Sequence, residues 1–184
     1  GVSSTNMNWQ HLRNLTESKW ANCDLYEGVC GYQIQPGTKW NSGLKDSEVD
    51  SLQEQRGFTF PTMYREFLSE LNGFDLDCVD FNAEDEPETY GRTCYQYPDD
   101  LERTQWLVNE IEENRKYVNE ALKYEGFFYE DIEGFIPLYG HRALVVFKDK
   151  SLSPVISIVG DDVMVYGKTL EEYWRRELKI EKCY

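Results

Sequence analysis

The sequence predicts an α+β fold in which one mainly antiparallel sheet packs against several helices. Apolar residues recur at helical spacing through the first two thirds of the chain, and the last third contains four short strand-like segments. Helices followed by a run of strands, without strict alternation, are typical of this fold class. The 184 residues are enough for a single domain with its own hydrophobic core.

The first predicted helix begins at Trp9 and ends near Ala21, because Trp9, Leu12, Leu15 and Trp20 form one apolar stripe. Glycine and proline residues punctuate the stretch that follows, so we predict turns there.

A second helix is predicted from Lys45 to the residue before Gly57. Leu44 and Val49 have the spacing of a hydrophobic staple, and Glu48 has the position of the acidic member of a capping box. Gly57 suits the left-handed position that follows a helix.

A β-prone link over residues 58–60 leads to a third helix, in which Pro61 suits the first turn. Asn72 and Gly73 end this helix in the prediction. Its apolar residues recur at helical spacing, and they are Tyr64, Phe67, Leu68 and Leu71.

Two further elements are predicted between the third helix and the strands of the last third. The first is a strand over 74–81, where apolar residues roughly alternate with aspartates. The second is a long helix that starts at Leu101, is capped by Asp99 or Asp100, and breaks near Asn114.

The last third reads as a meander followed by a helix. Gly160 and Asp161 fit a two-residue hairpin turn, and Thr169 with Glu172 forms a capping box for the last helix. Four segments are predicted as strands: Phe135–Leu138, Ala143–Phe147, Val155–Ile158 and Val163–Tyr166.

The periodic apolar residues of the helices and strands are predicted to form one core. Its members are Trp40, Leu44, Val49, Leu52, Phe60, Tyr64, Phe67, Leu68, Phe135, Ile136, Val145, Val155, Ile158, Val165 and Trp174.

This order of motifs resembles the SUKH superfamily, in its cell-wall-assembly-regulator-like branch. The shared points are Trp40, Gly43-Leu44, Glu48, Phe60-Pro61, the helix over 64–71, Asn72-Gly73, Phe135-Ile136-Pro137-Leu138, Gly140, the strand over 143–147, Pro154-Val155, the strand over 163–166 and the closing helix from Leu170. The resemblance covers roughly Trp40 to Leu178 and implies a SUKH-like domain over 40–184. The residue pattern predicts a helical and turn-rich extension over 1–39 that packs with this domain as one unit.

The resemblance also implies a function. Bacterial proteins that look like this are commonly immunity proteins, which bind and neutralise a toxin, often a nuclease. Fungal relatives are instead regulatory interaction scaffolds linked to cell-wall synthesis. Both expectations describe a protein-binding domain that is not an enzyme.

The charge of the chain favours a basic protein partner. Lysine and arginine number 19 and aspartate and glutamate 34, which gives a net charge of −15. Such a field repels nucleic acids and anionic membranes, and it accelerates association with a basic protein. An acidic surface that only keeps the protein soluble is the simpler explanation.

The carboxylates are concentrated between Asp75 and Glu102. This stretch contains ten of them and a single arginine, Arg92. We predict a partner-binding surface there, in which acidic residues meet a basic groove and tyrosines act as anchors. A solvated loop with packed tyrosines is the alternative. The predicted surface consists of Asp75, Asp77, Asp80, Glu84, Asp85, Glu86, Glu88, Tyr90, Tyr95 and Tyr97.

The cysteine pattern indicates a reduced, cytoplasmic protein. Five cysteines are odd in number and scattered, which suits free thiols, and the chain shows no export signal or membrane-length apolar run. We expect all five thiols to be free.

No catalytic, cofactor or metal motif is recognised. The chain has no glycine-rich phosphate loop, no nucleophile elbow and no zinc-like cysteine spacing. His141 is interpreted as a turn residue, and a densely polar pocket around it would be the sign of an enzyme. We therefore expect no metal, no cofactor and no catalytic residues.

Overall fold

The structure, a computed structural model, describes residues 8–27, 31–80 and 93–180. The helices of this part of the chain are α1 (Trp9–Ala21), α2 (Asp46–Arg56), α3 (Thr62–Glu70), α4 (Gln105–Glu113), α5 (Arg115–Tyr124) and α6 (Leu170–Glu177), and a 3₁₀ turn spans Tyr129–Asp131. The strands are β1 (Trp40–Ser42), β2 (Leu71–Phe74), β3 (Ile132–Tyr139), β4 (Arg142–Phe147), β5 (Val155–Val159) and β6 (Asp162–Gly167). The predicted α+β class is confirmed.

The main sheet is an antiparallel meander in the order β3-β4-β5-β6, and β1 pairs with β2 in a second, two-stranded sheet. Phe135 lies opposite Val145, and Ile136 lies opposite Leu144. The turn between β5 and β6 contains Gly160 at φ 60°, a conformation that glycine adopts without strain. All four predicted strands are therefore confirmed.

The two faces of the main sheet bury two separate hydrophobic clusters, so the predicted single core is wrong. Ile136 and Leu144 point to one face, whereas Phe135 and Val145 point to the other. The reason is the two-residue period of a strand, which sends neighbouring side chains to opposite faces. Both faces of this sheet bury apolar residues, and β4 is therefore buried on both sides from Ala143 to Phe147.

The first cluster is aromatic, and it unites the sheet with α1, α2, α3, α6 and the two-stranded sheet. Phe67 of α3 lies at its centre, with ring-centre distances of 5.2 Å to Trp9 and 5.2 Å to Trp174. Trp40 approaches Trp174 edge to face at 5.6 Å. Edge-to-face and stacked pairs of this kind add to the free energy of burial.

Helix α1 belongs to this first cluster through buried side chains and two polar anchors. The Trp40 indole N–H donates to Thr16 Oγ1 at 2.9 Å, and the Arg13 guanidinium donates to the backbone oxygen of Trp40 at 2.9 Å. Thr16 is buried and Leu15 is 36% exposed, so the buried face of α1 is rotated slightly from the predicted apolar face. The predicted bounds of α1 are confirmed.

The second cluster lies under α4 and α5, which cover the other face of the sheet. The predicted long helix is broken at Asn114, whose side-chain N–H donates to the oxygen of Glu110 at 2.9 Å. The helix starts at Gln105 and not at Leu101. The Asp100 carboxylate instead accepts the N–H of Gln96 at 2.7 Å, and this contact stabilises a turn before the helix.

Three local predictions between α2 and α4 are wrong. Leu71 lies in β2 and not in α3, since pairing with Ser42 of β1 ends the helix at Glu70. Residues 58–60 form no strand. The Phe58 ring instead packs against Gly134, where any β-carbon would collide with it. Of the predicted strand, residues 74–80 lie in the described ranges. Phe74 is the last residue of β2, and beyond it the structure describes only a single bridge, at Val79.

The helices of the described ranges are all too short or too polar to cross a membrane. Cys23, Cys78 and Cys94 are free thiols, as expected, and Cys30 and Cys183 lie outside the described residues.

Candidate functional site

The acidic segment that follows β2 is held firmly against the segment that precedes β1. The N–H of Asp75 donates to the oxygen of Lys39 at 2.9 Å, and the N–H of Lys39 donates to the Asp75 carboxylate at 2.7 Å. Gln33 and Val79 exchange two backbone hydrogen bonds of 2.7 and 2.8 Å. These bonds hold the backbone of the segment at Asp75 and at Val79, and they hold the Asp75 carboxylate.

The segment places its apolar residues inward and its acidic residues outward. Cys78 and Val79 are buried, Asp75 is exposed, and Asp77 and Asp80 are half-buried. Three of the predicted site residues thus lie on one short segment at the surface.

Tyr95 and Tyr97 lie in the core, so they cannot be the exposed anchors that the sequence suggested. Tyr95 is 8% exposed and Tyr97 is 2% exposed. Their hydroxyls donate to the oxygens of Gly140 and Pro137 at 2.8 and 2.5 Å. The Asn72 side chain draws Tyr97 inward, because it accepts the N–H of Tyr97 at 2.9 Å and donates to its oxygen at 2.8 Å.

Burial also changes the acidity of these two phenols. Loss of hydration raises the pKa of Tyr97 to about 12, and it raises the pKa of Tyr95 as well. Both rings behave as structural parts of the fold. The remaining predicted site residues lie outside the described part of the chain, and they are Glu84, Asp85, Glu86, Glu88 and Tyr90.

Two tyrosines that the sequence analysis missed take the surface position instead. Tyr26 is 59% exposed and Tyr32 is 41% exposed. The Gln33 side chain holds the backbone of Tyr26, since it accepts the N–H of Tyr26 at 2.8 Å and donates to its oxygen at 2.7 Å. Gln33 pairs antiparallel with Val79 in an isolated bridge, and Tyr32 and Asp80 are the chain neighbours of these two residues.

We call this surface the acidic face. It combines exposed or half-buried carboxylates with exposed apolar and aromatic side chains, and Leu76 is 37% exposed within it. The two tyrosines could have been predicted as surface residues, because they lie in a polar, turn-rich stretch without apolar periodicity. The acidic face consists of Asp24, Tyr26, Glu27, Tyr32, Asp75, Leu76, Asp77 and Asp80.

Two cavities open beside the acidic face, and both are bounded by Tyr32 and His141. The larger, of about 680 Å³, also contacts the ends of α1 and α6. Glu177 in its wall pairs with Arg142 at 3.3 Å and accepts the Tyr173 hydroxyl at 2.8 Å. The smaller cavity, of about 270 Å³, is bounded by Tyr95 and Trp106 as well.

The surroundings of His141 are polar, but few contacts of the described residues hold its imidazole ring. The Trp106 ring meets the imidazole edge to face at 5.6 Å, and the buried Nδ1 atom has no hydrogen-bond partner among the described residues. A general base needs a second group that orients its ring. The part of the chain that the structure describes provides no such hydrogen bond to the imidazole.

The buried cysteines near this region are held as neutral thiols. Burial raises the pKa of Cys78, whose sulfur lies 3.8 Å from the Tyr139 hydroxyl oxygen, and it raises the pKa of Cys94. A thiol in this state is a poor nucleophile and a poor metal ligand. Within the described ranges, no cluster of three or more histidine, cysteine or acidic side chains could hold a metal ion.

No protein-family model matches this chain, and no curated protein matches it significantly. The interpretation of the site therefore depends on its own geometry. That geometry offers a fixed acidic surface with exposed aromatic rings, which is suited to contact with a positively charged macromolecule.

Proposed function

We propose that this protein is a non-enzymatic binding domain that acts as a bacterial immunity protein. It neutralises a cognate basic toxin, of which a nuclease is the leading candidate, and the acidic face is the contact surface. The observation that carries this proposal is the bridge between Gln33 and Val79, which brings the half-buried Asp80 and the exposed Tyr32 to the same part of the surface. The resemblance to SUKH proteins supports it independently.

Charge complementarity gives the proposal its physical basis. A nuclease needs a basic groove to hold phosphates, and an acidic protein surface can occupy the same groove. The net charge of −15 would attract such a partner from a distance. Exposed tyrosines would then supply the short-range contact energy that charge alone rarely provides.

The rigidity of the acidic face also supports binding. The hydrogen bonds of Asp75 with Lys39 and of Gln33 with Val79 hold the surface before any partner arrives. A preorganised surface loses less conformational entropy on association than a mobile one.

The proposal predicts a toxin gene next to the gene for this protein, and it is tested with the product of that gene. Association rates are measured at about 50 mM and about 500 mM salt, where the range of charge interactions differs several-fold. We expect the association rate to fall steeply with salt. We also expect Asp77→Asn with Asp80→Asn to slow association about threefold or more at low salt.

The matched control is a variant with Glu113→Gln and Glu120→Gln. Both glutamates are exposed on the helices α4 and α5, so this variant removes the same charge from another face. An equal slowing in both variants would show that only the net charge matters. Unchanged association in the Asp77 and Asp80 variant would reject the acidic face.

A second set of substitutions examines the acidic stretch that the sequence analysis singled out. The amide variants are Glu84→Gln, Asp85→Asn, Glu86→Gln and Glu88→Gln, combined in one protein. We expect slower association and unchanged folding stability. Full protection of toxin-exposed cells by this variant would exclude the stretch from the interface.

A regulatory interaction scaffold, as in the fungal relatives, is the second candidate. It is favoured by a separate exposed aromatic patch, in which Tyr124 is 88% exposed and Phe128 is 76% exposed. Patches of this type commonly mark contact sites. A scaffold would bind a second protein through this patch while the acidic face is occupied, whereas an immunity protein needs only the toxin.

A further inference from the structure

One cavity of the described structure shares none of its lining residues with the acidic face. It has a volume of about 610 Å³, and residues of α2, α4 and β3 bound it together with Phe58 and Leu101. Cavities of this volume are typical of sites for small molecules. The cavity is therefore a second candidate site, separate from the surface proposed for the toxin.

The apolar part of the wall is built by the turn that follows α2. Gly57, at φ 85°, donates its N–H to the oxygen of Gln53 at 2.8 Å and ends the helix. The Phe58 ring then packs against Gly134 of β3, where a β-carbon would collide with it. The other apolar side chains of the wall are Leu101, Val108 and Phe135. This wall suits an apolar group of a ligand.

Arg56, the last residue of α2, brings a positive charge and two unused hydrogen-bond donors to the cavity. Its Nε and Nη2 atoms are buried and have no hydrogen-bond partner among the described residues. These two N–H groups lie on one edge of the planar guanidinium and match the two oxygens of a carboxylate. Because a buried donor without a partner is costly, this edge favours a ligand that supplies such oxygens.

The two phenols that interact with Arg56 do not balance its charge. The central carbon of the guanidinium lies 4.8 Å from the centre of the Tyr97 ring. Burial raises the pKa of Tyr97 to about 12 and the pKa of Tyr64 well above its usual range, although Arg56 lowers both. Both phenols stay neutral, so the arginine charge is left to an anionic group of a ligand.

The wall also carries carboxylates, one of which can meet a cation. Glu112 accepts two hydrogen bonds of 3.2 Å from Arg115, and this pair is balanced. Glu102 lines the same cavity and is exposed. The cavity therefore offers a ligand one guanidinium, one carboxylate and an apolar wall.

We propose that this cavity, which we call the mixed-charge cavity, binds a small zwitterion with a large apolar side chain, as an amino acid or a short peptide carries. The ligand carboxylate accepts from Arg56, its ammonium group meets Glu102, and its side chain packs against Phe58 and Phe135. Arg56 Nε and Nη2 are shielded from solvent, so the ligand meets them after a rotation of this side chain, a common change on binding. This site does not depend on the proposed function.

The first test titrates the protein with L-phenylalanine and with the dipeptide leucyl-phenylalanine. Salt at about 500 mM screens the general effect of the negative net charge. The readout is the backbone N–H resonance of Gly134, which lines the cavity, and Gly160 in the turn between β5 and β6 is the reference. We expect a saturable shift at Gly134 alone. The tighter probe shows whether the site takes amino acids or peptides, and binding of neither overturns the proposal.

Derivatives of the same probes separate the two charges of the ligand. The C-terminal amide lacks the carboxylate, and we expect it to bind about tenfold more weakly, because it loses a charged contact with Arg56. The N-acetylated form lacks the ammonium group, and we expect it to bind about twofold more weakly, because Glu102 is exposed. An amide that binds as tightly as the parent compound overturns the proposal.

Variants assign each charge of the ligand to its residue. We expect Arg56→Gln to weaken binding of the parent compound about tenfold but to leave binding of its amide unchanged, since the amide has no carboxylate. We expect Glu102→Gln to weaken binding of the parent compound about twofold but to leave binding of the N-acetylated form unchanged. The control is Glu113→Gln, an exposed residue of α4 that does not line the cavity.

The pairing of variant and derivative distinguishes recognition from a general loss of structure. A disturbed fold would weaken all the compounds alike, and urea denaturation checks the stability of the Arg56→Gln protein. The exposed Glu102 provides a second variant that does not alter a buried side chain. Equal binding of the parent compound by the Glu102→Gln and Glu113→Gln proteins overturns the proposal, as does equal weakening of the parent compound and its amide by Arg56→Gln.

Discussion

Two pairs of tyrosines in this protein have opposite roles, although all four come from polar, acidic stretches of sequence. Tyr95 and Tyr97 are buried beneath the main sheet's edge and bond to its backbone oxygens. Tyr26 and Tyr32 remain at the surface, and the Gln33 side chain holds the backbone of Tyr26. The comparison teaches that contacts with distant residues decide the role of an aromatic side chain here.

The difference comes from one buried amide. Asn72, in β2, bonds to both the N–H and the oxygen of Tyr97 across 25 positions of sequence. Cys94 pairs with Tyr139 of β3 in an isolated bridge, and this directs Tyr95 towards the sheet. Tyr26 and Tyr32 are 59% and 41% exposed, so part of each side chain is accessible at the surface.

The largest effect is expected in the buried aromatic cluster. Phe67 is 4% exposed and touches Trp9 and Trp174, so Phe67→Ala should reduce the free energy of unfolding by about 3–5 kcal/mol. Urea denaturation of both proteins measures this loss. A loss below about 1 kcal/mol would show that Phe67 is not central to the core.

The spacing of residues along the sequence was sufficient to predict the elements whose structure depends on residues close to each other in sequence. Helix α1 follows from the spacing of Trp9, Leu12 and Trp20, and the meander follows from short apolar strands with a Gly160 turn. Neither requires knowledge of a distant partner. The fold class could therefore be predicted before the structure was seen.

Residue spacing gave wrong predictions where a contact with a residue distant in sequence determines the local structure. Leu71 continues the helical spacing of α3, but pairing with β1 makes it part of a strand. The aspartates Asp75, Asp77 and Asp80 were correctly expected near the surface, whereas Tyr95 and Tyr97 were not. Hydrogen bonds over 25 or more positions cannot be inferred from local periodicity.

The second prediction concerns pH, and it uses the raised pKa of Tyr97. The folded protein keeps this proton up to about pH 12, whereas the unfolded chain releases it near pH 10. Between these values the folded state binds more protons, so stability falls as pH rises, by about 1.4 kcal/mol per pH unit for this residue. Denaturation at a series of alkaline pH values measures the slope.

A variant that lacks only the Tyr97 hydroxyl provides the control for this dependence of stability on pH. Tyr97→Phe keeps the ring but removes the titrating group, so the decline in stability between pH 10 and 12 should become shallower by that amount. The variant also loses the bond to Pro137, which lowers stability by about 1 kcal/mol at neutral pH. An unchanged slope would mean that Tyr97 releases its proton in the folded state.

The smallest effect on stability is expected at the surface, for Tyr26→Ala. The Tyr26 ring is 59% exposed, and the bonds that hold its turn come from backbone atoms that alanine also has. The free energy of unfolding should therefore change by less than about 0.5 kcal/mol. If the acidic face binds a basic partner, the same substitution should nevertheless weaken that binding.

A loss of stability near that expected for Phe67→Ala would place the Tyr26 ring in the core, and the contrast between the two tyrosine pairs would fail. Full stability with unchanged partner binding would keep the contrast, but would remove Tyr26 from the contact surface.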